Sequence, residues 1–471
     1  MKTYISTAIA ALLLGCAALP TNAPDDIYYK KLPENISRAL GSPEVIQRLD
    51  ATRAKGFPVS LKELDAWFAQ VPAAENAAEI LWPILSSLNT NKTALKLSEA
   101  ERELLKKALA PESKYKPLPA EMTVPISDIL KRHSSHMTAL REGSLRKHCR
   151  FPINLSQGAA TLLPHLSNYR TACNLFEIEG LQHAANGDLK TAVQNFETVV
   201  RLTQTLRDEP TLISVLVQYA CHGVITGYAE RLLALHTFDD AQLARMQTAV
   251  ALLHNPAAMR RAFTSERCMA LDFFTIKPEA WMRFADMGTT NSNPKQALAK
   301  ARQIVGRSDT AIRSELLFLF DFYDQCDSAG SRPYTEQIKS MEPTFAALRS
   351  NDAESRYPIC IVMFPALNQI LARAAKNSAQ LHCAETGIAI ARYRLANEGR
   401  LPKQLAELTP RFLSNQLQDP FDGQPLKYRV ENGTIARVHS IGANLKEDGG
   451  GGLTSSDPTK DDIVFVIGRK D

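Results

Sequence analysis

The spacing of apolar residues changes twice along the chain, and each change predicts a different kind of structure. A short apolar run at residues 5–14 comes first. Apolar residues then recur in steps of three and four over residues 61–395, which is the period of amphipathic helices. Alternation between apolar and polar residues follows in segments of 426–467 and is typical of strands. The pattern predicts a mainly α body of irregular helical hairpins, followed by a small α+β domain with an antiparallel sheet.

Several stretches of the body have a clear helical period. Ser98 and Glu101 begin one of them in a capping-box pattern, where each side chain bonds a free backbone N–H group of the other residue. Recurring prolines between residues 110 and 125 indicate a loop between helices. The predicted helices cover residues 60–69, 73–88, 98–109, 126–148, 212–235, 240–253, 256–274, 295–305 and 309–323.

Residues 172–207 have the pattern of two antiparallel helices joined by a tight turn. Gly180 and Ala192 are small enough to let the two helices approach closely. Gly187 suits the left-handed conformation that ends a helix, and Phe196 would fill the groove between the two. The pattern resembles a single tetratricopeptide-type hairpin. Because solenoids need three or more such units, the resemblance implies irregular stacking of hairpins and not a repeat array.

The last part of the chain combines one helix with three strands. Apolar residues in steps of three and four over 381–395 form one helix face, and Asn397 and Gly399 are expected to end that helix. Residues 426–430 alternate as a strand, the turn 431–433 contains Asn-Gly, and residues 434–440 return as its partner. Residues 462–467 supply the third strand.

These residues carry a resemblance to the globular domain of the major pseudopilins of type II secretion systems. The resemblance covers residues 376–471 and rests on ordered motifs. These motifs are Tyr393-Arg-Leu-Ala-Asn-Glu-Gly-Arg-Leu-Pro402, Asp419-Pro-Phe-Asp-Gly-Gln-Pro-Leu-Lys-Tyr428, Ser440-Ile-Gly-Ala-Asn444 and Asp461-Asp-Ile463. It implies a compact antiparallel domain, but a pseudopilin also has a basic leader, a peptidase site and a continuous apolar N-terminal helix. None of these is evident here, so we expect a capping or docking domain and no polymerisation.

The resemblance also implies a structural calcium site in the loop before the last strand. Carried over by position, the ligands are Asn444, Asp461 and Asp462, with Asp448 as an addition. Asn444 departs from the aspartate that is usual there and, being neutral, attracts a hard cation less strongly. The alternative is a solvated loop with no ion, and no other cofactor is expected.

The first residues indicate export. Lys2 precedes the apolar run, which is too short to span a bilayer and resembles a secretory signal. The run ends in Leu13-Leu-Gly-Cys16, which resembles the lipobox of bacterial lipoproteins, where the cysteine is lipidated. An ordinary signal cut later is the alternative. The predicted division is a signal peptide at 1–15, a tether at 16–58, an α-helical domain at 59–375 and the pseudopilin-like domain at 376–471.

Composition and charge narrow the classes of function. The 55 basic and 50 acidic residues give a net charge of +5 and are spread along the chain, so no nucleic-acid-binding surface is expected. Seven cysteines remain besides Cys16, and a Cys173–Cys221 disulfide is one pairing that the sequence leaves open. The chain has no G-x-S-x-G, H-E-x-x-H or Walker motif.

These observations favour a non-enzymatic lipoprotein, exported and held by its lipid on a bacterial membrane, facing the periplasm or the cell exterior. It would bind a protein partner, which the sequence does not name, through its helical body. The alternative is a component of a secretion system that docks through the pseudopilin-like domain.

Overall fold

Helices form most of the chain, and three short strands form a sheet near its C-terminal end, which confirms the predicted fold class. The computed structural model describes residues 27–88, 94–111, 114–279, 294–330, 332–364, 367–449 and 462–468. The helices there are α1 (Glu34–Leu40), α2 (Pro43–Ala54), α3 (Leu61–Trp67), α4 (Ala78–Leu85), α5 (Glu99–Ala108), α6 (Ala120–Arg132), α7 (Ser134–Gly143), α8 (Leu166–Ala185), α9 (Leu189–Gln204), α10 (Leu212–Leu235), α11 (Asp240–Ala251), α12 (Ala258–Phe273), α13 (Pro294–Val305), α14 (Asp309–Ala329), α15 (Tyr334–Leu348), α16 (Ala353–Arg356), α17 (Pro358–Met363) and α18 (Leu367–Ala396).

Local signals set several helix ends. Ser98 Oγ accepts the N–H of Glu101 at 3.3 Å, and the Glu101 carboxylate accepts the N–H of Ser98 at 2.6 Å, which confirms the predicted capping box. The loop predicted up to residue 125 was too long, because α6 begins at Ala120 and contains Pro125. A proline removes one helical hydrogen bond, but burial of Met122 and Ile126 stabilises this helix by packing.

The segment predicted as a tether contains two ordered helices, so the predicted range 16–58 was wrong for α1 and α2. Ile36 of α1 and Val45 of α2 are buried in a core that includes Phe320 of α14. The sequence was misleading because proline is common both in tethers and at helix starts. Here Pro33 precedes α1 and Pro43 occupies the first turn of α2.

The predicted hairpin is present as α8 and α9, and α10 packs against both. Gly187, with φ of 82°, follows the first helix as expected. Gly180 is needed for a close approach to α10: a Cβ there would lie 1.6 Å from the hydroxyl oxygen of Tyr228. That hydroxyl donates to the carbonyl oxygen of Ala192 at 3.1 Å and ties the three helices together.

The three strands form an antiparallel sheet in the order β1 (Lys427–Glu431), β2 (Ile435–Ser440) and β3 (Ile463–Ile467). Lys427 pairs with His439, and Ser440 pairs with Ile463. Asn432 and Gly433 have positive φ angles of 52° and 70°, as expected for the predicted Asn-Gly hairpin turn.

Helix α18 joins the sheet to the helical body. It begins at Leu367, well before the predicted start at residue 381, and packs on β2, β3, α10 and α11. Gly387 faces Phe465 of β3 so closely that a Cβ would lie 2.3 Å from the ring. The predicted domain boundary at 375–376 therefore falls inside one helix. A single hydrophobic core contains residues from both sides of it, including Phe196 and Phe465.

Helix α10 is the one described helix long and apolar enough, by length and composition, to cross a membrane. Half of its most apolar window is buried inside the protein. It packs chiefly against α8, α9, α12, α18 and β3. In this structure it is a central helix of the core.

Candidate functional site

The residues predicted to bind calcium are partly brought together. Cys16 and Asp461 lie outside the described residues. Asn444 Nδ2 donates to Asp448 Oδ2 at 2.8 Å, and the backbone N–H of Asp448 donates to Asp462 Oδ2 at 3.0 Å. The three described candidates therefore lie in one hydrogen-bonded cluster.

This cluster does not by itself make a calcium site. Calcium takes about six to eight oxygen ligands, whereas the described part of the loop supplies three side chains. Within the described ranges, no group of three or more His, Cys, Asp or Glu residues has the geometry to hold a metal ion. Calcium binding remains a prediction. A bound structural ion predicts a lower melting temperature in EGTA, and an unchanged one would reject it.

A large cleft lies between the helical body and the sheet. Its volume is about 1150 Å³. Helices α5, α8, α10 and α18, the loop after α5, and strand β3 form its walls. Ligand pockets usually hold about 300–1000 Å³, so this cleft is large enough to hold a small ligand.

The floor of the cleft is a strip of α10 with little side-chain bulk. Ala220, Gly223 and Gly227 lie along it. A Cβ added to either glycine would meet no atom within 4 Å. Neither glycine is therefore required by close packing, and both leave the backbone of α10 accessible from the cleft.

Glu177 of α8 is the most unusual side chain in the cleft. It is 8% exposed and lines the cavity. Among the described residues, no side chain or backbone donor forms a hydrogen bond or ion pair with its carboxylate. Burial raises the pKa of Glu177 to about 7, although the positive charges of Arg231, Lys114 and Arg170 act in the opposite direction. Its oxygens open onto the cleft, where water or a bound ligand can satisfy the carboxylate.

Glu230 contrasts with Glu177, because its carboxylate is fully engaged. It accepts hydrogen bonds from Lys114 Nζ and the Tyr115 hydroxyl, and one from the backbone N–H of Val466 in β3 at 3.1 Å. Burial next to this carboxylate raises the pKa of Tyr115. Glu230 therefore links α10, the loop after α5 and the outer edge of β3.

The edge of β3 contributes backbone groups to the cleft. Val466 directs its N–H to Glu230 and so away from β2. Groups two residues apart in a strand point to the same side, so Val464 directs its N–H and C=O the same way. Val464 lines the cleft. An extended chain in the cleft could pair with this position.

The charged residues at the rim differ in whether they are paired. Arg102 pairs with Glu99 at 3.2 Å, and Lys106 pairs with Glu103 at 3.3 Å. Arg170 and Lys376 are exposed and form no ion pair with any residue that the structure describes. The rim thus presents two cations that are available to an anionic group.

A second polar cluster resembles a catalytic arrangement but is closed to substrate. His165 Nε2 lies 3.1 Å from the Glu209 carboxylate, and the Ser214 hydroxyl donates to the same carboxylate. His165 and Ser214 are each 0% exposed, and the serine bonds the acid, not the imidazole. Nucleophilic catalysis needs the base on the serine. This cluster therefore stabilises the packing of α8 and α10.

The Cys173–Cys221 disulfide that the sequence left open does not form in this structure. Cys149, Cys173, Cys221, Cys268, Cys326, Cys360 and Cys383 are free thiols. Cys173 and Cys221 lie side by side, and the hydrogen bond between them, together with burial, raises the pKa of Cys173.

Comparisons with protein-family models, with curated proteins and with solved structures gave no match to this chain. The resemblances to pseudopilins, to a tetratricopeptide hairpin and to a lipobox remain predictions.

Sequence reasoning missed the cleft and Glu177. One local signal was available in the sequence: Glu177 stands between the apolar residues Phe176 and Ile178. The structure shows that residues of this helix are buried on nearly every side. The cleft itself could not be found in this way, because its walls come from segments far apart in the chain.

Proposed function

We propose that the protein is an exported, lipid-anchored binding protein without enzymatic activity, and that it holds its ligand in the cleft between the helical body and the sheet. The observation that carries the proposal is Glu177, a nearly buried carboxylate that faces a cavity of about 1150 Å³ and has no partner among the described residues. Such a group is expected where a ligand completes the hydrogen bonding.

The chemistry of the cleft favours binding over catalysis. Two other buried acids line the cleft, and both are engaged: Glu230 accepts hydrogen bonds from three donors, and Asp462 accepts one from the backbone N–H of Asp448. Neither is placed as a partner of Glu177 for acid–base work. Lipidation at Cys16 would hold this cleft at a membrane surface, because each buried CH₂ of an acyl chain contributes about 0.8 kcal/mol.

The cleft can be filled without disturbing the fold. Because the space above Gly227 is open, we expect Gly227→Leu to fold and to occupy the binding volume. Native mass spectrometry of protein extracted from its own membrane should show a bound mass in the wild type and none in this variant. Ala241→Leu, at an exposed position of α11, is the matched control and should keep the bound mass. Equal ligand occupancy in Gly227→Leu and the wild type would contradict the proposal.

Anchoring is tested separately. Cys16→Ser should move the protein from the membrane fraction to the soluble fraction, and globomycin should block processing of the wild type. Unchanged processing in globomycin would reject the lipid anchor and leave the cleft proposal standing.

A further inference from the structure

The cleft carries opposite charges at two separate points along α8. Glu177 is the buried acid, and Arg170 lies two turns before it, about 10 Å away at 1.5 Å per residue. Both side chains line the same cavity. A ligand lying along α8 would therefore meet the Glu177 carboxylate near one end and the Arg170 guanidinium near the other. Two further cations act on Glu177, but Lys114 is bonded to Glu230, and Arg231 donates to the carbonyl oxygen of Ala108 at 2.9 Å.

The contacts of α10 set the height of Lys376 in the cleft. Cys173, one turn after Arg170, is hydrogen-bonded to Cys221. His222 Nδ1 donates at 2.8 Å to Oδ1 of Asn377, which follows Lys376. Lys376 of α18 is therefore level with Cys173, between the levels of Arg170 and Glu177 on α8.

The space between the charged ends suits an extended backbone. Gly223 and Gly227 leave the floor open, and Val464 directs backbone hydrogen-bonding groups into the cleft from β3. An extended chain rises about 3.3 Å per residue, so three residues span roughly 10 Å. That length matches the separation of the two charged ends.

We propose that the cleft binds short extended peptides with free termini, with the terminal ammonium at Glu177 and the terminal carboxylate at Arg170, where Lys376 from α18 adds a second cation. The proposal rests on the proposed function of the cleft and names its ligand class. Capture of both termini fixes the length of the peptide, while backbone pairing at Val464 leaves its side-chain sequence unrestricted.

The test compares three ligands on the full-length protein in detergent by isothermal titration calorimetry. Trialanine carries both termini, trialanine amide lacks the carboxylate, and N-acetyl-trialanine lacks the ammonium. Each modified peptide should bind about tenfold or more weakly than trialanine, because a lost charged hydrogen bond changes affinity by that order. Hexaalanine should also bind more weakly, since it exceeds the distance between the charged ends.

Variants assign each terminus to its site. Glu177→Gln should make trialanine and its N-acetyl form bind equally while the preference over the amide remains. The double variant Arg170→Gln/Lys376→Gln should remove the preference over the amide and retain that over the N-acetyl form. Arg102→Gln, at a rim residue already paired with Glu99, is the control and should change neither ratio.

Two results would overturn the inference. Equal affinity of wild-type protein for the three tripeptides would show that the termini are not recognised, and no measurable binding of trialanine would show that the ligand is not such a peptide. The proposed function would survive either result if Gly227→Leu still removes the ligand that the wild type carries from its membrane. If Gly227→Leu retains that ligand while trialanine binds elsewhere, both ideas fail.

Discussion

Substitution of Gly180 by alanine should destabilise the contact that joins the helical hairpin to the floor helix of the cleft. The new Cβ would lie 1.6 Å from the Tyr228 hydroxyl oxygen and 2.8 Å from its Cζ, and both distances are shorter than van der Waals contact allows. Tyr228 is fully buried and cannot turn into solvent, so it must move within the core. Its hydrogen bond to Ala192 would be lost in that movement.

The size of this effect follows from three contributions. Overpacking of a core costs about 1–3 kcal/mol, and the lost hydrogen bond costs about 1 kcal/mol. Replacing glycine with alanine inside a helix returns about 0.5–1 kcal/mol. Gly180→Ala should therefore lower the free energy of unfolding by about 1–3 kcal/mol.

The assay is urea denaturation followed by circular dichroism, with Gly223→Ala as the matched control. Gly223 also lies inside a helix, but a Cβ there meets nothing within 4 Å, so this variant should gain about 0.5–1 kcal/mol. Adding Tyr228→Phe to Gly180→Ala removes the atom in the worst clash and should recover part of the loss. Equal stability of Gly180→Ala and Gly223→Ala would refute the packing argument.

Three further predictions concern other buried contacts. Gly387→Ala should lower the melting temperature because its Cβ would lie 2.3 Å from the Phe465 ring, and the double variant with Phe465→Leu should be more stable than Gly387→Ala alone. Glu315→Ala should lower the free energy of unfolding in urea by about 3–5 kcal/mol, since it removes the buried partner of Arg307, 2.5 Å away; a loss below about 1 kcal/mol would contradict this. The raised pKa of Glu177, about 7 in the folded protein against about 4.3 when unfolded, means that its protonated form favours folding. The stabilisation from protonated Glu177 is complete below pH 4 and is lost as the pH rises to 7. The free energy of unfolding of the wild type should therefore fall by about 3 kcal/mol relative to Glu177→Gln between pH 4 and 8. The same pH dependence of the unfolding free energy in the wild type and in Glu177→Gln would refute this prediction.

The parts of the fold that were predicted correctly depend on local physics. Helical periodicity located α11, because its buried Leu243, Met246 and Val250 recur in steps of three and four. Asn432 and Gly433 located the hairpin of the sheet, because few other residues adopt their positive φ angles. The capping box at Ser98 was found for a similar reason, as it involves groups only three residues apart.

The parts that were missed depend on contacts between distant segments. Helices α1 and α2 were assigned to a tether because burial of Ile36 comes from α14, which the local pattern does not contain. The boundary at 375–376 was placed inside α18 because one helix serves both the body and the sheet. The environment of Glu177 likewise depends on Arg231 and Lys114, which the fold brings to it.

The cleft is proposed here as a ligand site in which Glu177 binds the ligand. The most direct measurement is a crystal structure of protein purified from its own membrane. We expect ordered density along α10, within hydrogen-bond distance of the Glu177 carboxylate and reaching towards Arg170 and Lys376. A cleft that contains only water, with Glu177 turned to a protein partner, would contradict it.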